Sequence, residues 1–200
     1  GVLIGKVTDK EEISYKESKI SLKDISKIYE DKLERVFSCN IKSKNENIPS
    51  YAYTDGKVSA PAIKTAKPKV LIPVFPGTNC EYDSAKAIEA AGGEAEIFVI
   101  NNLTSSGIAK SAEMFAKSVS DSQIIFVPGG FSGGDEPDGS GKFITAFFRN
   151  AEIKEEVTNL LEKRDGLMCG ICNGFQALIK LGLVPYGKIT DADENAPTLT

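Results

Sequence analysis

The chain has 200 residues, 41% of them apolar, and 24 basic against 28 acidic side chains leave a net charge of −4. That apolar share is ordinary for a globular protein and can supply a buried core. The scattered lysines and arginines leave no nucleic-acid footprint, and no apolar run approaches the roughly 18 residues of a membrane span. The four cysteines, Cys39, Cys80, Cys169 and Cys172, read as free thiols of a cytoplasmic chain rather than a disulfide framework. There is no histidine. Histidine is the commonest base paired with a Cys or Ser nucleophile, so any enzyme reading has to account for its absence.

Residues 1–38 read as a small α+β unit. Val2-Leu3-Ile4-Gly5-Lys6-Val7 and Glu12 to Tyr15 suggest two short strands, and Ser21 with Asp24 three residues on has capping-box spacing. Leu22, Ile25, Tyr29, Leu33 and Val36 then repeat at helical period. This is too little chain for a core of its own, so the unit is expected to pack on another domain. Residues 39–67 are polar and aperiodic, with Pro49, Gly56 and Pro61, and read as a linker.

From residue 68 to 200 strands and helices alternate. Val70 to Val74 is a β-rich run, and a helix from about Asp83 to Ala91 is closed by Gly92-Gly93. Glu96 to Ile100, Ile124 to Val127 and Leu167 to Cys169 are further strands. Between them lie a helix near Ser106 to Val119 and two helical stretches carrying Phe143, Ile144, Phe147 and Phe148, then Ile153, Val157, Leu160 and Leu161. Gly174 to Leu181 is a last helix, stopped by Gly182. Helices of this length between short strands imply βαβ units and a mostly parallel sheet with helices on both faces. Ligands in such sheets bind beyond the carboxyl ends of the strands, where both glycine-rich segments fall.

Gly170-Ile171-Cys172-Asn173-Gly174 joins a strand directly to a helix in the small-x-nucleophile-x-small form. A turn so sharp needs glycine at its flanks and pushes the central side chain outward at a helix N-terminus, where the macrodipole favours negative charge. Cys172 is therefore the candidate nucleophile, and the backbone N–H of Asn173 a candidate oxyanion donor. The same spacing also suits a small residue at a tight connection. Cys169 and Cys172 form a C-x-x-C pair, but zinc would need two more ligands, and the remaining cysteines are distant; no metal site is expected. Pro128-Gly129-Gly130-Phe131-Ser132-Gly133-Gly134-Asp135 follows another strand, and N–H groups freed by its glycines can hold an anion or oxyanion. Glu136 and Phe143 break a Walker A phosphate loop, so the other reading of this stretch is a flexible connection.

Taken in order and spacing, Phe75-Pro76-Gly77-Thr78-Asn79-Cys80-Glu81, the Pro128 to Ser132 turn and Gly170 to Gln176 resemble the glutaminase part of phosphoribosylformylglycinamidine synthase, a class I glutamine amidotransferase. The resemblance spans roughly Lys69 to Lys188. Ile4 to Asp9 and Leu33 to Phe37 resemble, more weakly, the close of that enzyme's synthetase half, which implies the large single-chain form. The resemblance implies a flavodoxin-like fold, Cys172 as nucleophile, Gly129 or Gly130 with Asn173 as oxyanion hole, and Gln176 as a substrate contact. It implies glutamine and a synthetase domain of the same polypeptide as partners. No cofactor is implied for this stretch itself; ATP and Mg²⁺ would belong to the synthetase part. The family's His and Glu are expected beyond Thr200, which would explain the missing histidine and predicts an inactive fragment. Gly133 stands where the family commonly has an aromatic residue, so the lid over the site is expected to differ. Two rivals remain: another flavodoxin-like hydrolase with a cysteine elbow, and a non-catalytic module that docks on a synthetase. Cys80, the phenylalanine group and Asp135 to Asp138 are read as loop geometry, core and solvated surface.

Overall fold

The computed structural model describes residues 1–36, 49–52, 54, 56, 60–131, 141–191, 193–197 and 199. Cys39, most of the linker, Gly133 and the acidic stretch from Asp135 to Asp138 lie outside the described residues. The chain divides into two units, Gly1–Lys57 and Val58–Thr200.

In the first unit, β1 (Glu12–Tyr15) and β2 (Ser18–Ser21) form an antiparallel hairpin, and α1 (Leu22–Asp31) follows at once. The hairpin reverses through Lys16, which takes φ 53 because so short a connection needs a left-handed residue. Ser21 caps α1: its Oγ accepts from the Asp24 amide at 3.0 Å and donates to the Asp24 carboxylate at 2.7 Å. The expected strand from Val2 to Val7 is absent, and Val2, Leu3, Ile4 and Val7 are exposed. A β-branched run becomes a strand only where a neighbour completes its ladder; here the hairpin pairs with itself. None of the unit's described residues is buried, so the apolar stripe of α1 builds no core within it.

The second unit holds β3 (Lys69–Val74), α2 (Glu81–Ala90), β4 (Glu94–Val99), α3 (Ser105–Ser120), β5 (Ile124–Val127), α4 (Lys142–Phe148) and α5 (Ala151–Thr158). A π-helical turn (Asn159–Lys163), β6 (Leu167–Gly170), α6 (Asn173–Lys180) and a short α7 (Leu183–Tyr186) follow. The sheet is parallel throughout, in the order β4-β3-β5-β6. The chain steps from β3 to β4, then back across β3 to β5; right-handed crossovers therefore put α2 on one face and α3 on the other. This is the flavodoxin-like order, whose ligand crevice opens between β3 and β5.

The crevice has a covalent cause. The Gln123 amide donates to the Lys69 carbonyl, so the odd-numbered residues of β3 turn their backbone groups toward β5. Pro73 stands on that side without an N–H to donate. The β3–β5 ladder accordingly registers only Val70 with Ile124 and Leu71 with Ile125, whereas β3–β4 pairing runs on to Val74. Beneath the crevice lies an aromatic core. Phe75, Phe115, Phe147 and Phe148 are buried and meet mostly edge-to-face, with centroids 5.4 Å apart for Phe75–Phe147 and 5.6 Å for Phe115–Phe148.

At the opposite end of β3, Lys69 Nζ lies 2.6 Å from Glu96 Oε2, with side chains 29% and 30% exposed. The hydrogen bond to Glu96 holds the Lys69 pKa above its ordinary 10.5 against the opposing cost of burial. A raised lysine contributes stability that is whole below its unfolded value and is lost as pH climbs through its folded one. Glu96→Gln should therefore lower stability by about 0.5 kcal/mol near neutral pH. In urea titrations that difference should shrink once the pH passes the ordinary lysine value of 10.5.

Candidate active site

Three turns meet at the carboxyl ends of β3, β5 and β6. The third carries Cys172. The Ile171 amide still donates to the Val127 carbonyl at 3.1 Å as a continuation of the sheet, yet α6 begins two residues later at Asn173. Cys172 bridges the gap with φ 52 and ψ −110, a conformation costly for any residue with a Cβ. Crowding enforces it. A Cβ on Gly174 would lie 2.2 Å from the Val127 carbonyl oxygen, and one on Gly170 would lie 2.7 Å from the Gly174 carbonyl carbon. Both glycines are needed because strand and helix backbones touch there. The result is an exposed Cys172 at the head of α6, whose first turn is tied back by Gln176 N–H donating to the Cys172 carbonyl at 2.9 Å.

The glycine turn after β5 lies against this corner. A Cβ on Gly129 would come 3.3 Å from the Cys172 Cβ, so the bare Gly129 backbone faces the cysteine directly. Gly130 has φ 128, and a side chain on it would run into the Gly77 carbonyl oxygen at 2.2 Å. The first turn explains why. Thr78 forms an antiparallel bridge with Gly130, flanked by Asn79 N–H donating to the Gly129 carbonyl (3.0 Å) and Phe131 N–H donating to the Gly77 carbonyl (2.9 Å). In a pair flanked this way, the N–H and C=O of Gly130 itself are turned away from Thr78.

The predicted residues thus fall into two groups. Gly129, Gly130, Cys172 and Asn173 are gathered at one corner, Asn173 as the first residue of α6 with only 2% of its surface exposed. Gln176 lies one turn on, half-buried, and its Oε1 accepts from Asn173 Nδ2 at a long 3.4 Å. Cys80 is exposed in a left-handed conformation (φ 69) just before α2, and Cys169 is exposed on β6; both are free thiols, like Cys172. The described residues contain no group of three or more His, Cys, Asp or Glu able to hold a metal. The larger clefts lie elsewhere. One of about 620 Å³ is walled by Lys110, Glu113 and Asn150, another of about 560 Å³ by Ile108, Phe143 and Phe147; no residue of the three turns lines either. Thr78 and Asn79 are the residues whose part was not read from sequence. A hydroxyl residue three positions after Phe75 in a Pro-Gly turn is the signal that could have shown it.

The profile of the CobB/CobQ-like glutamine amidotransferase domain matches residues 67–200. The chain belongs to that family. Among curated relatives, this amidotransferase chain is 39% identical over 129 residues to phosphoribosylformylglycinamidine synthase subunit PurQ of Dehalococcoides mccartyi, covering 64% of the chain and 46% of the relative. It is 38% identical over 133 residues to the PurQ subunit of Methanococcus maripaludis, covering 64% and 44%. A chain in the solved structure of PurLQS from Thermotoga maritima is 32% identical, covers 58% of this chain and 45% of its own length, and superposes with a TM-score of 0.41. The amidotransferase chain therefore spans less than half the length of these curated relatives. Among its described residues, no helix is long and apolar enough to cross a membrane.

Gly174→Ala measures how tightly the corner is closed. Its new methyl would meet the Val127 and Pro128 carbonyl oxygens, backbone atoms that cannot rotate aside. We expect a loss of about 3 kcal/mol in urea unfolding, as for overpacked cores, together with a change in the alkylation rate of Cys172.

Proposed function

We propose that this chain carries the nucleophile and the oxyanion turns for the glutaminase step of a phosphoribosylformylglycinamidine synthase. The observation that carries the reading is the exposed Cys172 at φ 52 and ψ −110, with the bare backbone of Gly129 against it. Cys172 Sγ attacks the side-chain amide carbon of glutamine. The N–H of Gly129 or Gly130 and that of Asn173 receive the oxyanion, each such donor being worth roughly 3 kcal/mol in the transition state. Collapse forms a γ-glutamyl thioester and expels the amide nitrogen, which leaves as ammonia with the proton that the thiol gave up. Water then releases glutamate and restores the thiol. Gln176, one turn into α6, contacts the substrate.

The ammonia passes to a synthetase part, where it converts formylglycinamide ribonucleotide to formylglycinamidine ribonucleotide at the expense of ATP bound with Mg²⁺. The PurQ names of the relatives support that assignment, and the likeness of Ile4 to Asp9 and Leu33 to Phe37 to the end of a synthetase supports a single polypeptide. Phosphate and metal chemistry belong to that part, and the present chain needs no cofactor for glutaminase chemistry.

Labelling with 6-diazo-5-oxonorleucine followed by peptide mapping should modify Cys172 at least about tenfold faster than Cys80 or Cys169, because in this reading donors from two turns, the Gly129-Gly130 backbone and Asn173, converge beside Cys172. Equal labelling of the three would sink the assignment. Turnover is a separate matter. With no histidine among the 200 residues, no imidazole can carry the proton to the leaving nitrogen. Purified chain mixed with glutamine should release no measurable ammonia; robust release would show that another group moves the proton.

A further inference from the structure

Thr78 stands outside the elbow and outside the glycine turn, yet it ties the core to the glycine turn. Its amide donates to the Phe75 carbonyl at 2.9 Å, and its Oγ1 accepts from the Phe75 amide at 3.0 Å, so the two residues close a turn on each other. Phe75 is fixed in its turn by the buried rings of Phe147 and Phe148 and by Phe143. On its other side Thr78 pairs with Gly130, and the Asn79 and Phe131 amide bonds grip the peptides before and after that glycine. Gly130, at φ 128 without a Cβ, has no conformational preference strong enough to hold its own peptide. The bridge does so.

We propose that Thr78 is a positioning residue for the oxyanion turn: its hydroxyl sets the loop that aims the Gly129-Gly130 backbone at the carbonyl oxygen of the group attacked by Cys172. This rests on the glutaminase reading above. Valine has the shape of threonine without the acceptor, so Thr78→Val leaves the half-buried Phe75 amide without its partner and frees the loop to shift. Serine keeps the acceptor.

Two alkylating agents separate aim from access. A chloroketone analogue of glutamine reacts through a tetrahedral adduct that needs oxyanion donors, whereas iodoacetamide reacts by direct displacement and needs none. On the intact 200-residue chain, Thr78→Val should slow chloroketone labelling of Cys172 by about tenfold, a fraction of what full removal of an oxyanion donor costs. Its iodoacetamide rate should stay within about twofold, since access and helix position are unchanged. Thr78→Ser should restore the chloroketone rate. An unchanged chloroketone rate in Thr78→Val, or equal slowing with both reagents, overturns the proposal while leaving Cys172 as nucleophile. A wild-type chain whose Cys172 shows no chloroketone preference over Cys80 and Cys169 overturns the glutaminase reading and this inference with it. Should Thr78→Val not fold, amide exchange in the wild type decides. The Phe75, Asn79 and Phe131 amides should be protected as one group, and free exchange of Asn79 and Phe131 beside a protected core would show that the bridge holds nothing.

Discussion

The Val127 carbonyl oxygen occupies the space that a Cβ on Gly174 would take, 2.2 Å from where that atom would sit. Strand β5 and the first turn of α6 are thus in backbone contact, and the rest of the site follows from this closeness. With the helix pressed so near, the chain leaving β6 at Gly170 has no room for a gradual bend. The reversal falls on Cys172, whose φ of 52 and ψ of −110 leave its side chain exposed at the corner. Strain of this kind, on the order of 1–3 kcal/mol, persists only where surrounding packing overrides it. The packing is supplied by Leu178, Ala177 and the aliphatic core behind them.

A second constraint shapes the space beside the corner. Pro73 cannot donate toward β5, so β3 and β5 stop pairing after Leu71 and their carboxyl ends carry loops instead of ladder. The Phe75 and Thr78 turn and the Gly129-Gly130 turn meet in that opening and pair as two short antiparallel arms. The interlocked phenylalanines below make a rigid floor, because Phe75 is at once a buried core residue directly after β3 and the first residue of the loop. Rigid core, strained corner and glycine backbone are therefore one mechanical unit. That arrangement would serve the proposed glutaminase chemistry, whose oxyanion donors must already be aimed before charge develops.

The relation to known amidotransferases agrees with this division. The match covers residues 67–200, the region in which the sheet, the three turns and the aromatic floor lie. The first unit, with its capped but unburied α1, has no such built site among its described residues.

Local rules sufficed for much of this. The apolar run from Ile124 to Val127 read as a buried strand, and Ser21 with Asp24 as a helix start, because both signals depend on neighbours within a few residues. Glycines at 170 and 174 marked the elbow for the same reason. Val2 to Val7 misled because a β-rich run does not reveal whether a partner strand exists. Helix α2 starts at Glu81 rather than Asp83 because Cys80 turns left-handed ahead of it, a choice made by the loop that must reach Gly130. The order of strands, the contact of Gly129 with Cys172 and the tie from Phe75 through Thr78 to Gly130 join residues some 50 positions apart. Periodicity carries no information over such separations. The chain's letters marked Cys172 and its neighbouring glycines as candidates; only the folded sheet, by bringing three distant turns to one edge, placed them at one corner.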